Sequence, residues 1–167
     1  MARQRTVRIL YLDHPSWKSL PVEDRELLKA AAQAARKAYA PYSRFLVGAA
    51  LRLDDGRIVT GNNQENAAFP AGICAERVAL HAAMAAEPKA YVDAVAVVVP
   101  RAGKQTPIPP CGICRQAMVE QENRQGGPMR ILLGSVNGEV QEIVSAASLL
   151  PLSFTASMLR RGGRKRS

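Results

Sequence analysis

Apolar residues recur along the chain with two alternating periods. Between residues 22 and 40, Leu27, Leu28, Ala31, Ala35 and Ala38 fall at helical spacing in an alanine-rich stretch closed by Pro41, which predicts a first helix. Residues 46–53 and 57–60 are short β-prone segments. Asp54-Asp55-Gly56 joins them with the chemistry of a hairpin turn. Residues 61–72 are polar. Residues 74–86 return to helical spacing, with Val78, Ala79, Ala82 and Ala83 as the apolar stripe and Cys74 at the start. The nearly all-apolar run 92–99, ended by Pro100, reads as a central strand covered on both faces. A loop with four prolines spans 100–110, and Cys111 opens another helix. Residues 130–133 and 139–143 read as strands around the Asn137-Gly138 turn, with a short helical piece within 148–159. This alternation predicts an α/β domain with helices on both faces of one sheet.

A chain of 167 residues, 47% hydrophobic and 22% charged, suits one core. We divide it into an N-terminal arm (1–20), a domain (21–159) and a basic C-terminal tail (160–167). The longest apolar run, 94–99, is far below the ~20 residues that span a bilayer, and residues 1–10 are too rich in arginine for a signal-peptide core. A cytoplasmic protein without a membrane partner is expected. The net charge of +9 first suggests a nucleic-acid binder. However, Arg3, Arg5, Arg8, Arg160, Arg161, Arg164, Lys165 and Arg166 sit in the two tails, leaving 15 basic against 14 acidic residues between them. Solvated tails that aid solubility or touch a neighbouring subunit are favoured over a nucleic-acid tether.

Three cysteines cannot all pair within one chain, so metal ligation or nucleophilic chemistry is the expected use. Cys111-Gly112-Ile113-Cys114 sets two thiols at a helix start, and Cys74 offers a third from a neighbouring helix. Three protein ligands leave the fourth position of a tetrahedral zinc open, as in a catalytic site. The alternatives are a structural zinc completed by His14, and buried cysteines that bind nothing. His81, seven residues past Cys74, lies about 10 Å further along a helix and is too far to share an ion. Three thiolates around Zn2+ carry a net negative charge. Two helix N-termini aimed at the ion offset about one unit, and Arg77 either donates to a ligand sulfur or forms an ordinary surface ion pair. Glu76 stands beside the metal without being needed to bind it. A carboxylate there suits proton transfer with a water whose pKa the ion lowers from about 15.7 toward ~7, against the alternative of an exposed helix glutamate.

Cys74-Ala75-Glu76 followed by Pro110-Cys111-Gly112-Ile113-Cys114 resembles the signature of zinc nucleoside and nucleobase deaminases. Taken with Pro41-Tyr42-Ser43-Arg44-Phe45-Leu46-Val47-Gly48-Ala49-Ala50, Asn63-Gln64-Glu65-Asn66-Ala67, Arg77 and Arg115-Gln116, residues 21–155 resemble the short-chain, homotetrameric cytidine deaminases. The resemblance implies a three-layer α/β/α fold around a mixed five-stranded sheet, one zinc per subunit and a free nucleoside as substrate. It implies that Phe45 packs on the pyrimidine, that Asn63 and Glu65 bind the ribose hydroxyls and that the Ala75 amide donates to the base carbonyl. It also implies that Phe154 covers the base from a neighbouring subunit. Read without the family, Asn63 and Glu65 are turn residues and Phe45 a core residue. Phe69 stands where the family often has tyrosine, and Thr155-Ala156 replaces a usual Gly-Pro.

The expected reaction is hydrolytic, with water adding at C4 of cytidine or 2′-deoxycytidine while Glu76 carries protons to N3 and to the departing ammonia. Three rivals share part of the signature: an editor of RNA or DNA, a deaminase of a modified nucleoside, and an idle zinc-stabilised module. A neutral body with 5% aromatic residues disfavours the polymer, and Glu76 with the ribose pair disfavours the idle module.

Overall fold

The structure, a computed structural model, describes residues 2–100, 107–134 and 137–159; the basic tail and part of the proline-rich loop lie outside them. Six strands form one mixed sheet in the order β1-β6-β5-β4-β2-β3. They are β1 (Leu12–His14), β2 (Gly48–Leu53), β3 (Ile58–Asn62), β4 (Val92–Val98), β5 (Arg130–Gly134) and β6 (Val140–Ile143). Only β4 and β5 pair in parallel; the other neighbours are antiparallel. The sheet has one strand more than expected. Residues 12–14, which show no readable period, pair with β6 through Leu12↔Glu142 and His14↔Val140, so long-range pairing makes a strand that local pattern does not announce.

Alternation along the strands divides the core into two layers. Ala50, Ala94, Ala96, Val98 and Leu132 face α1 (Val22–Ala35) and its Leu27, Leu28 and Ala31. Ala49, Leu51, Val95, Val97, Ile131 and Leu133 face α2 (Ala75–Ala86) and α3 (Gly112–Gln125). Both faces of β4 are buried from Ala94 onward, as its nearly all-apolar run requires. Small residues let the layers approach closely. A Cβ on Gly48 would lie 1.9 Å from the Ala31 carbonyl oxygen, and one on Gly61 2.4 Å from the Ala79 nitrogen. The Asp54-Asp55-Gly56 turn joins β2 to β3, with Gly56 at a φ of 85° that glycine adopts freely.

Two boundaries differ from the reading of the sequence. The first helix stops at Ala35 rather than running to Ala40, because the chain leaves it to lie beside residues 63–65: the Tyr39 amide donates to Asn63 O (3.0 Å) and the Glu65 amide to Tyr39 O (2.8 Å). In α2 the buried stripe is Ala75, Glu76, Ala79, Leu80, Ala83 and Met84, one position round from the expected one, leaving Ala82 on the outer face. Alanine sits on both faces of this helix, so composition does not orient it. A last short helix, α4 (Ala156–Leu159), follows a 3-10 turn at Ala146–Leu149. No helix among the described residues is long and apolar enough to cross a membrane.

Candidate metal centre and nucleoside site

Cys74 and Cys111 are the residues immediately before α2 and α3, both extended, and neither caps its helix through its side chain. Each thiol is therefore free to turn toward the other helix, with the unpaired N–H groups of both first turns behind it. Cys114, one turn into α3, is buried. The Sγ atoms of Cys74 and Cys111 are 3.9 Å apart, those of Cys111 and Cys114 3.5 Å, and all three lie within 4.8 Å of one another. A tetrahedral ion with bonds of about 2.3 Å to sulfur separates its ligand sulfurs by roughly 3.8 Å, so the three residues fit zinc and leave a fourth position for a small molecule. The histidines stay apart from this cluster. His81 is exposed on α2, and His14 holds Glu142 at 2.9 Å at the far edge of the sheet.

The surroundings favour thiolate at Cys74. Its hydrogen bond with Cys114, joined by the Arg77 guanidinium and Cys111, draws the Cys74 thiol from 9.0 down to about 5. Cys114, hydrogen-bonded to that sulfur and buried, is pushed up. Arg77 Nη2 lies 3.9 Å from Cys74 Sγ, within reach of a hydrogen bond to sulfur. Glu76 is 95% buried in the first turn of α2. Burial first, and the Cys74 charge after it, raise its carboxyl above its ordinary 4.5.

Asn63 and Glu65, one and three residues beyond β3, bind the loop before β2. Asn63 Oδ1 accepts from the Val47 amide (2.7 Å), and its Nδ2 donates to Phe45 O (2.9 Å). Glu65 Oε2 accepts from the amides of Tyr42 (2.9 Å) and Ser43 (3.2 Å), while the Ser43 hydroxyl donates to Oε1. Those bonds, that from the Ser43 hydroxyl first, hold Glu65 below its usual range. Arg44 turns the loop with φ at 56°, and Phe45 follows, half-buried. Both polar residues thus build the loop that presents Phe45, a role the sequence reading did not include; Ser43 was within the quoted motif but carried no assignment. The Ala75 amide belongs to the first turn of α2, whose N–H groups have no partner inside the helix. Phe69 is 77% exposed and meets Tyr42 edge to face at 6.1 Å between ring centres. Phe154 is exposed, and its carbonyl accepts from Gln116 Nε2 on α3 (2.7 Å). Arg115, beside it, donates to Pro110 O (2.7 Å) and to Leu149 O (3.0 Å). Reasoning from sequence assigned neither of these two a role, although both stand in the motif.

The family described as the cytidine and deoxycytidylate deaminase zinc-binding region matches residues 21–125. The cytidine deaminase of Halalkalibacterium halodurans is 46% identical over 134 residues, which is 80% of this chain and 96% of that one. A 1.6 Å crystal structure of cytidine deaminase from Burkholderia pseudomallei superimposes with a TM-score of 0.66 at 44% identity, covering 77% of this chain and 97% of that one. The cytidine deaminase structure from Mycobacterium tuberculosis superimposes at 0.61 with 34% identity, over 80% and 98% of the two chains. With its three thiols gathered at two helix starts in the geometry zinc requires, the chain belongs to the cytidine and deoxycytidylate deaminase family.

Proposed function

We propose that the protein hydrolyses free cytidine and 2′-deoxycytidine to uridine and 2′-deoxyuridine with release of ammonia, a step of pyrimidine salvage. The observation that carries this reading is a buried carboxyl, Glu76, in the same helical turn as a three-cysteine metal site. Cys74, Cys111 and Cys114 hold zinc, which when bound supplies Lewis-acid activation of water. Glu76 carries the two protons of the attacking water in turn, the first to N3 of the base and the second to the leaving amine, so that ammonia departs. A carboxyl held above its ordinary range by burial is suited to both directions of transfer. The Ala75 amide donates to the base carbonyl, and Phe45 packs on the pyrimidine. Asn63 keeps one amide hydrogen beyond that given to Phe45, and Glu65 keeps acceptor capacity, so each has a bond left for a ribose hydroxyl. Arg77 offsets the charge of the thiolates.

We place the enzyme in the cytoplasm, where three thiol ligands stay reduced, and as a homotetramer. Ile113, Leu152 and Phe154, at 64%, 91% and 55% exposure, are apolar surface that a neighbouring subunit would cover, with Phe154 reaching its site. Free nucleoside is preferred to a polymer because Asn63 and Glu65 flank Gln64, which is bridged to Ile73 just before Cys74, a ribose-sized pair of polar groups near the metal ligands.

The test is loss of cytosine absorbance on adding zinc-loaded protein to cytidine, beside Glu76→Gln and a single-stranded oligonucleotide. Wild type converts the nucleoside, the variant keeps its zinc and loses about 10²-fold or more in turnover, and the oligonucleotide is unchanged. Full turnover by Glu76→Gln removes Glu76 from the mechanism; turnover of the oligonucleotide alone overturns the substrate.

A further inference from the structure

Glu122, on the second half of α3, is 92% buried. Its Oε1 accepts from the amides of Met129 (2.8 Å) and Ala146 (2.8 Å), and its Oε2 from the Ala147 amide (3.0 Å) and the Ser145 hydroxyl (2.9 Å). Three of these donors belong to the start of the 3-10 turn after β6, where N–H groups lack partners within the turn. Desolvating a carboxylate is costly, and an apolar residue could fill the same space, so the polar choice here serves to tie one segment to one helix.

That tie is the first of three from the same helix. Glu122 holds residues 145–147, Arg115 holds Leu149 and Gln116 holds Phe154. As the segment proceeds from 145 to 154 it passes back along α3 toward the end that carries Cys111 and Cys114. Arg115 and Glu122 are seven residues apart, two helical turns, and so share one face. The metal-bearing helix and the backbone of Phe154 are thereby fixed to one another.

We propose that Glu122 is a positioning residue for nucleoside binding, acting by anchoring the 145–154 segment so that Phe154 is presented in register. This rests on the reading of Phe154 as a base-covering residue, whether in its own site or a neighbour's. The bond to Gln116 fixes only the last part of the segment; without Glu122 the stretch before it keeps the Arg115 bond to Leu149 and the core packing of Ala146 and Leu149, but loses its polar tie at residues 145–147.

The test is steady-state kinetics of cytidine deamination by zinc-loaded Glu122→Gln, Phe154→Ala and the double variant, with zinc content and Tm measured on each. Glu122→Gln retains one acceptor oxygen and replaces the other by a donor that faces donors. We expect its KM to rise roughly fivefold or more with kcat and zinc content within about twofold of wild type, and the double variant to match Phe154→Ala alone, the signature of a shared route. Ser145→Ala, which removes one donor at the edge of the cluster, raises KM in the same sense by a smaller factor and carries the test where Glu122→Gln does not fold. An unchanged KM in both Glu122→Gln and Ser145→Ala with a lowered Tm makes Glu122 purely structural and overturns the proposal. Fully additive KM effects overturn the route through Phe154. A silent Phe154→Ala removes the reading of Phe154 itself, and with it that route; a silent Glu122→Gln beside an impaired Phe154→Ala removes the role of Glu122 alone.

Discussion

At the scale of single residues, the site is built from polar groups that each bind protein before they bind anything else. Glu65 is the clearest case, since its carboxylate collects the Tyr42 and Ser43 amides and the Ser43 hydroxyl, and those bonds hold it ionised below its ordinary 4.5. A depressed carboxyl contributes stability that is present above its unfolded value and is lost as pH falls through the folded one. The difference in Tm between wild type and Glu65→Gln is therefore expected to shrink as pH falls from about 6 to about 3. A constant difference over that range means that the charge of Glu65 does not order the loop. In the sequence, the proposed substrate-contact role of Asn63 and Glu65 comes only through resemblance. Their bonds to residues 42–47 were not legible, because nothing local announces a partner some twenty positions away.

At the scale of elements, the two metal-bearing helices are placed by how closely α2 and α3 pack on the sheet. Gly61 on β3 meets the backbone of α2 at Ala75 and Ala79, and Gly48 on β2 meets α1 on the opposite face. Adding a methyl at either forces backbone apart and should cost about 1–3 kcal/mol. The consequences differ by face. Gly61→Ala displaces the helix that follows Cys74, so both Tm and zinc retention under a competing chelator should fall. Gly48→Ala lowers Tm with zinc retention unchanged. Equal zinc loss in both variants, measured by metal content after dialysis, would disconnect α2 packing from the metal site. The helix starts at Cys74 and Cys111 were readable from periodicity and spacing. The end of α1 was not, because the bridge between Tyr39 and Gln64 interrupts a stretch with good helix formers.

At the scale of the whole molecule, the face of the sheet opposite the metal carries a chain of charges from one edge toward the other. Asp24 on α1, fully buried, accepts from Arg52 on β2 (2.9 Å) and Arg130 on β5 (2.8 Å). Arg52 goes on to Asp93, while Arg130 reaches Glu142, which holds His14 of β1. The chain ties α1 and five strands together. Asp24→Asn removes the carboxylate that both arginines share, and because Arg52 keeps Asp93 and Arg130 keeps Glu142 it should destabilise by about 1–3 kcal/mol, the cost of weakening buried charge-assisted hydrogen bonds. Cytidine KM below the melting transition should be unchanged, because the network and the metal site lie on opposite faces. A shifted KM with unchanged Tm would reverse that assignment.

The sequence by itself determined the chemistry and most of the elements. Cys74 with Glu76, and Cys111 with Cys114, sit at short, fixed offsets at two helix starts, so the geometry within each pair follows from local backbone; the 3.9 Å approach of Cys74 to Cys111, 37 positions on, is tertiary. The apolar run of β4 and the Asp54-Asp55-Gly56 turn are legible for the same reason: each is decided within a few residues. Tertiary structure alone decided what depends on distant partners. It recruited residues 12–14 as a sixth strand, turned α2 by one position, ended α1 early and brought Glu122 onto residues 145–147. In each case a hydrogen bond or packing contact formed across the fold outweighed a local preference of a few tenths of a kcal/mol per residue, and no reading of neighbouring residues contains that partner.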